Sequence, residues 1–414
     1  MPAPCPCINY PFIKNFRSYF TINLLTNSFL GALLFSTPIF FDYFDLHNAL
    51  LSTFFVFLGL YLLIRSNSFF FNGFFLALIW FWWIGLSFRY YDLKFLVPFV
   101  PIVIATIYGA IFAFLGWILR LLPKPFAQAT ILFTISYIHP FGFNWLIPEV
   151  VLTSTLFGVD KLHFLALLLA LLLPHKILKA LLLITSLLWM KPYKPLAPLD
   201  IELVTTHIPQ EKKWQSSYRP LLIQQNFAAI NKAIKHKKDL VVLPESAFAL
   251  FLNREPQILL SLLELSHKIT IVTGALSLEQ DRVYNATFVF HKGRYIILKK
   301  VVLVPFGEEI PLPKPIANWI NDIFFDGASD YAKAKVPQTY TIENVSFTNA
   351  ICYEATHPII YQTNTPYIIA LSNNAWFLPS YEPNLQNLII KYYATIYNKV
   401  VYHATNIAKT EIIR

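Results

Sequence analysis

The 414-residue sequence predicts a multi-span α-helical membrane domain of about seven helices, followed by an α/β domain. Three observations predict it. Charged residues make up 14% of the chain, against roughly 25% in an ordinary soluble protein, while 56% of it is hydrophobic. The deficit belongs to the first half: residues 1–194 hold 12 Lys+Arg and 5 Asp+Glu, and residues 195–414 hold 21 and 18. Long apolar runs fill the first half, whereas short apolar runs alternate with amphipathic stretches in the second. The boundary is predicted at Lys191-Pro192-Tyr193-Lys194-Pro195, where proline cannot continue a helix. This divides the chain into a polytopic transmembrane domain over 1–194 and a second domain over 195–414.

A membrane-crossing helix needs about 20 mostly apolar residues. Seven stretches qualify: 20–41, 46–64, 69–88, 95–119, 127–150, 153–173 and 177–190. The fifth contains Pro140 and is expected to be broken or re-entrant. Short loops fix the orientation. With the N-terminus inside, Lys14, Arg17, Arg65, Arg120, Lys124, Lys176 and Lys179 lie inside, against Arg89, Lys94 and Lys161 outside. An odd number of spans then puts residues after 194 outside, which in a bacterium is the periplasm. Trp80, Trp82, Trp83 and Arg89-Tyr90-Tyr91 suit an aromatic belt at the outer leaflet. One helix would suffice as an anchor, so seven suggest a platform that admits or orients a lipid.

The net charge of +10 does not point to nucleic acid. The first half contributes +7 of it, spread between apolar runs, and the second half is nearly balanced at +3. Cys5, Cys7 and Cys352 form no disulfide framework, and no cleavable signal peptide is evident.

The second half alternates strands and helices, the pattern of an α/β domain. Strands are predicted at 201–206, 240–244, 269–274, 283–291, 295–299, 345–352 and 367–372, and helices at 221–235, from about 358, and at 385–397. Buried strands that end in polar residues are where α/β folds place their chemistry. Three such ends are Leu243-Pro244-Glu245-Ser246, Lys299-Lys300 ahead of Leu303-Val304-Pro305-Phe306-Gly307-Glu308, and Ile351-Cys352-Tyr353-Glu354. Each has an ordinary alternative: a cap, a solvated lysine pair, a small buried hydrophobe. Together they make an acyl-transfer set. A thiolate attacks a carbonyl, a carboxylate takes the thiol proton, and a lysine steadies the oxyanion. The chain has no G-x-S-x-G, phosphate loop, H-E-x-x-H or paired C-x-x-C.

These residues resemble the nitrilase, or carbon–nitrogen hydrolase, superfamily, whose Glu, Lys and Cys stand in that chain order at strand ends. With the membrane half included, the chain resembles the apolipoprotein N-acyltransferase family over about residues 20–414. The matching segments are Ile208-Pro209-Gln210 followed by Trp214, Leu243-Pro244-Glu245, Lys300 three residues ahead of Leu303-Val304-Pro305-Phe306-Gly307-Glu308, Cys352-Tyr353-Glu354, and Leu371-Ser372-Asn373-Asn374-Ala375-Trp376-Phe377. The resemblance implies an αββα sandwich and catalytic roles for Glu245, Lys300 (not Lys299) and Cys352. It gives supporting roles to Glu308, Tyr353 and Glu354. For Trp214 and Trp376, an acyl-contacting rim and core packing are both open, and surface salt bridges remain the alternative for Glu308 and Glu354.

What the resemblance implies for function is a two-step acyl exchange at the inner membrane, with no metal or cofactor. A phospholipid is the acyl donor. The acceptor is the N-terminal amine of a diacylglyceryl-cysteine on an apolipoprotein. A membrane-tethered amidase or nitrilase, and a non-catalytic membrane protein, are the alternatives. The family continues beyond the equivalent of Thr405-Asn406 with further strands and a last membrane helix, and neither is expected between there and Arg414.

Overall fold

The computed structural model describes residues 22–90, 93–188, 193–324 and 330–414. Cys5, Cys7, Lys14, Arg17, Tyr91, Lys191 and Pro192 lie outside the described residues. The chain forms two compact units. Of the described residues, the first comprises 22–82, 98–135 and 154–188, and the second comprises 83–90, 93–97, 136–153, 193–324 and 330–414.

The first unit is helical: Ile22–Phe35, Thr37–Tyr43, Ala49–Arg65, Phe69–Phe81, Phe99–Ile118, Lys124–Thr134, Lys161–Leu172 and Lys176–Leu187. Among the described residues, two helices are long and apolar enough to cross a membrane, Phe69–Tyr90 and Phe99–Ile118. The second of these shows how such a helix is built. Ala105, Tyr108, Phe112 and Gly116 face its neighbours, while Phe99, Ile102, Val103, Phe114 and Trp117 are exposed. The exposed polar residue on that helix, Thr106, turns its hydroxyl back onto the Ile102 carbonyl at 2.7 Å, so the outward face suits acyl chains. Glycines allow the helices to meet closely: a Cβ at Gly73 would lie 2.6 Å from the Tyr108 carbonyl oxygen. Inside the unit, polar groups satisfy one another. Trp80 Nε1 donates to Ser36 Oγ at 2.9 Å, and Asn72 Nδ2 donates to the Leu63 carbonyl at 2.9 Å.

One expected span is broken, as Pro140 predicts, and another starts late. Residues 127–150 are not one helix. The helix ends at Thr134, and the chain then runs through Pro140, left-handed Phe141 and Gly142, and Pro148, where main-chain ladders break. The helix expected over 153–173 begins only at Lys161, because Asp160 caps it by accepting the N–H groups of Leu162 and His163. The aromatic belt is also revised. Trp80 and Trp83 are buried, not outward-facing, and Trp83 packs edge-on against Phe377 within the second unit.

The second unit contains two sheets. Among the described residues, the first consists of β1 (Ile201–Leu203), β2 (Leu240–Val242), β3 (Phe248–Phe251), β4 (Thr270–Glu279), β5 (Arg282–His291) and β6 (Arg294–Lys299). The second consists of β7 (Thr339–Ile342), β8 (Val345–Ile351), β9 (Tyr367–Asn373), β10 (Val400–Asn406) and β11 (Glu411–Ile413). Strands β1, β2 and β4 run parallel, as do β8, β9 and β10.

Alternation along the strands makes the layers. Leu240, Val242 and Val272 meet Phe347, Ile369, Leu371 and Tyr402 between the sheets. Val241, Leu243 and Ile271 pack outward onto helices Arg219–Lys235 and Pro256–Leu265. Ile368, Ala370 and Val401 pack outward onto helices Pro358–Tyr361 and Glu382–Ile396. The result is an αββα sandwich.

One further strand corrects the expectation that none follows Asn406. Thr405 Oγ1 donates to the Ala408 carbonyl and the Thr405 N–H donates to Thr410 Oγ1, closing a short turn that returns β11 antiparallel to β10.

Gly274 on β4 sits where two segments touch. A Cβ there would lie 2.6 Å from the Ser246 nitrogen and 2.7 Å from Glu245 Cα, both main-chain atoms that cannot swing aside. Gly274→Ala is expected to lower stability by about 1–3 kcal/mol and to displace Glu245. Thermal unfolding of the purified variant checks the first part.

Candidate active site

The three strand ends singled out in the sequence converge at one end of the sandwich. Glu245 follows β2 by three residues, and its buried carboxylate accepts from Asn285 Nδ2 on β5 at 2.8 Å through Oε1. Lys300 directly follows β6 and its side chain has no exposed surface. Its Nζ lies 2.7 Å from Glu308 Oε2. The same Asn285 amide donates to Glu308 Oε1 at 3.0 Å, so one amide ties both carboxylates together. Burial works against the Lys300 charge, but Glu308, Glu245 and Cys352 outweigh it and hold its pKa above the ordinary lysine value.

Lys299 is turned the other way, as strand alternation requires. Its Nζ pairs with Glu279 at 2.5 Å and lies 4.3 Å from the centre of the Tyr284 ring.

Cys352 begins a helical turn, Cys352–Thr356, at the end of β8. Its φ of 53° lies in the left-handed region, a conformation that costs a non-glycine residue about 1–3 kcal/mol and breaks the strand sharply at the thiol. Burial and the Glu245 charge push the thiol pKa well above its usual value, while Lys300 and the Asn373 main-chain N–H pull it down.

Glu354 is fully buried, which removes the surface salt bridge as its explanation. Its Oε1 accepts the Ile351 N–H at 2.7 Å, and its Oε2 accepts the Val301 N–H at 2.8 Å and the Val302 N–H at 3.3 Å. One side chain thus links the residue before Cys352 to the residue after Lys300. Burial pushes its pKa up to about 7, against those N–H groups and Lys300.

Tyr353 stacks on Phe143 at 5.8 Å, and its hydroxyl donates to Asn144 Oδ1 at 2.9 Å. Trp145 Nε1 donates to Thr356 Oγ1 at 2.7 Å. The irregular segment 136–153 therefore braces the turn that carries Cys352. Trp376 meets Tyr90 edge-on at 5.5 Å. Trp214 is 43% exposed, which excludes core packing for it.

Sequence reading missed Asn285, Lys213, Asn374, Glu382 and Gln386. Lys213 is buried, and its Nζ donates to the Glu245 carbonyl at 2.9 Å. Burial pulls its pKa down to about 8, with Glu245 and Cys352 opposing. The available signals were a lysine beside Trp214 and an asparagine inside an apolar strand. Among the described residues, no three His, Cys, Asp or Glu side chains gather as a metal site would require.

The profile of the apolipoprotein N-acyltransferase integral membrane domain matches residues 22–192. An apolipoprotein N-acyltransferase of Wolinella succinogenes is 42% identical over 393 residues, covering 92% of this chain and 94% of that one. That of Campylobacter jejuni is 38% identical over 424 residues, covering 95% and 92%. A carbon–nitrogen hydrolase superfamily protein of Xanthomonas campestris aligns with 51% of this chain and 76% of its own, at 14% identity and a TM-score of 0.38. Identity at this level over nearly the whole of both chains, with an apolar helical unit and an αββα sandwich, means that this chain is an integral membrane protein of the apolipoprotein N-acyltransferase family.

Proposed function

We propose that the chain moves an acyl group from a membrane phospholipid onto the α-amine of a diacylglyceryl-cysteine at the N-terminus of an apolipoprotein, through a thioester on Cys352. Glu245 takes the Cys352 proton as the sulfur attacks the ester carbonyl carbon. The carbonyl oxygen becomes an oxyanion, steadied by Lys300. Collapse breaks the ester C–O bond, and the lysophospholipid leaves with the proton from Glu245. In the second step the acceptor amine attacks the thioester and gives a proton to Glu245. The C–S bond then breaks, and the proton returns to sulfur. Two easier steps replace one hard one.

The observation that supports this most is the setting of Cys352: it opens the turn after β8, and Glu354 ties the residue before it to the residue after Lys300. Residues 1–194 form the transmembrane domain in this reading, and 195–414 the catalytic domain. The site is periplasmic, the N-terminus is cytoplasmic, and both lipid substrates reach the site within the bilayer of the inner membrane.

The test is conversion of a synthetic diacylglyceryl-cysteine peptide to its N-acylated form by purified protein and phospholipid, followed by mass spectrometry. Wild type is expected to convert it and Cys352→Ala is not. Release of free fatty acid with no acylated peptide would instead favour a membrane-tethered hydrolase.

A further inference from the structure

Helix Glu382–Ile396 starts against the turn that carries Cys352, and its first turns hold two buried polar side chains, Glu382 and Gln386, one helical turn apart. Both are joined to Asn374, which follows β9 and is itself buried. Asn374 Nδ2 donates to Glu382 Oε2 at 3.0 Å and to Gln386 Oε1 at 3.0 Å. Gln386 Nε2 in turn reaches Cys352 Sγ at 3.9 Å.

The direction of this relay follows from the chemistry of its members. Burial and the Glu245 charge push the Glu382 pKa up to about 8, against the Asn374 hydrogen bond that favours its ionised form, and its Oε2 accepts from the Asn374 NH₂. The second hydrogen of that NH₂ then faces Gln386, which must present its oxygen. The Gln386 NH₂ is left facing the sulfur. With both amides reversed, Asn374 Oδ1 would stand about 3 Å from a carboxyl oxygen of Glu382, a contact between two acceptors in the ionised form of that group. The observed arrangement leaves Asn374 Oδ1 buried without a donor, a cost the opposite demand of Glu382 offsets.

We propose that Gln386 is a positioning residue: its N–H, aimed by Asn374 and Glu382, supports negative charge on Cys352 sulfur. The inference rests on Cys352 being the nucleophile. Sulfur carries that charge twice, when the thiol is deprotonated and when it leaves the second tetrahedral intermediate. The charged groups that face the sulfur are Glu245, Lys300, Glu382 and Lys213. In its ionised form Glu382 opposes the thiolate by its charge, and the relay holds the donor in place with that carboxyl standing off behind two amides.

The experiment measures the rate of Cys352 alkylation by iodoacetamide against pH on purified full-length protein, with the Cys352 peptide quantified by mass spectrometry. Gln386→Met keeps length and removes the donor. Its profile is expected to move up by about one pH unit, so that labelling at fixed neutral pH slows about tenfold. The pair Asn374→Asp with Glu382→Gln moves the carboxylate one step along the relay, keeps the charge count, and turns the Gln386 oxygen toward sulfur. It is expected to shift the profile in the same direction, and it decides the matter alone if Gln386→Met does not fold. Profiles unchanged or shifted downward would overturn the inference. Failure of wild-type Cys352 to take up an acyl group would instead sink the catalytic reading beneath it, and the two failures are read on different measurements.

Discussion

Lys300→Met is expected to cut acyl transfer about 10²- to 10³-fold in kcat, the usual effect of losing one oxyanion donor, while Lys299→Met stays within about twofold of wild type. The two lysines are adjacent, and only their surroundings separate them. Lys300 is fully buried and ion-paired with Glu308, whereas Lys299 sits at the opposite face with Glu279. Methionine keeps most of the Lys300 volume but leaves Glu308 and Glu245 without their cation. Glu308 retains the Asn285 amide and the Val304 N–H at 2.9 Å, so some of that loss is absorbed. Thermal unfolding, run beside the assay, separates a folded but slow enzyme from a collapsed one. A slow Lys299→Met protein and a normal Lys300→Met protein would exchange their roles.

Glu354→Gln is expected to be almost as damaging, for a structural reason. The carboxylate accepts from both the Cys352 side and the Lys300 side. A glutamine has one accepting oxygen, so one of those buried N–H groups must face an NH₂. Stability is expected to fall by about 1–3 kcal/mol. The spacing of Cys352 and Lys300 loosens with it, and a misplacement of about 1 Å costs about 10²-fold in rate. A pH dependence accompanies this. The folded pKa of Glu354 is raised to about 7 from 4.5. The folded state therefore keeps a proton that the unfolded chain has released, and the Glu354 contribution to stability is lost as pH rises through about 4.5 to 7. Glu354→Gln should remove that part of the slope in denaturant titrations between pH 4.5 and 7.

The fold class was legible because two different hydrophobic patterns share one chain. Runs such as 99–118 are long enough to need no water, and strands such as β9 place Ile369 and Leu371 on one face and Ile368 and Ala370 on the other. The break at Pro140 was legible, whereas the late start of the helix at Lys161 and the use made of the broken segment were not. Apolar content over 127–150 is high, but Pro140, Gly142 and Pro148 win over it, and the segment braces Tyr353 and Thr356 instead. Short strands such as β3 and β11 carry too few residues to show a period. At the candidate site, the residues that sit at strand ends stood out, because chemistry after an apolar run is visible in one dimension. Asn285, Lys213 and the Asn374–Glu382–Gln386 relay did not, since Asn285, Lys213 and Gln386 act on groups 40, 32 and 34 positions away, and Asn374 acts on groups 8 and 12 positions away. The role of Glu354 was read only in part. The sequence offered a charge near a lysine, and the structure adds the main-chain N–H groups it holds.

The central claim is that the acyl group passes through Cys352. Wild-type protein is incubated with a phospholipid of one acyl composition, freed of lipid, and digested. The Cys352 peptide is predicted to carry that acyl mass. On a second portion, added diacylglyceryl-cysteine peptide is predicted to remove the acyl mass from Cys352 and to gain an equal amount on its own amine. Peptide acylation by the Cys352→Ala protein, or an acyl mass on any other residue that disappears in the chase, would contradict it.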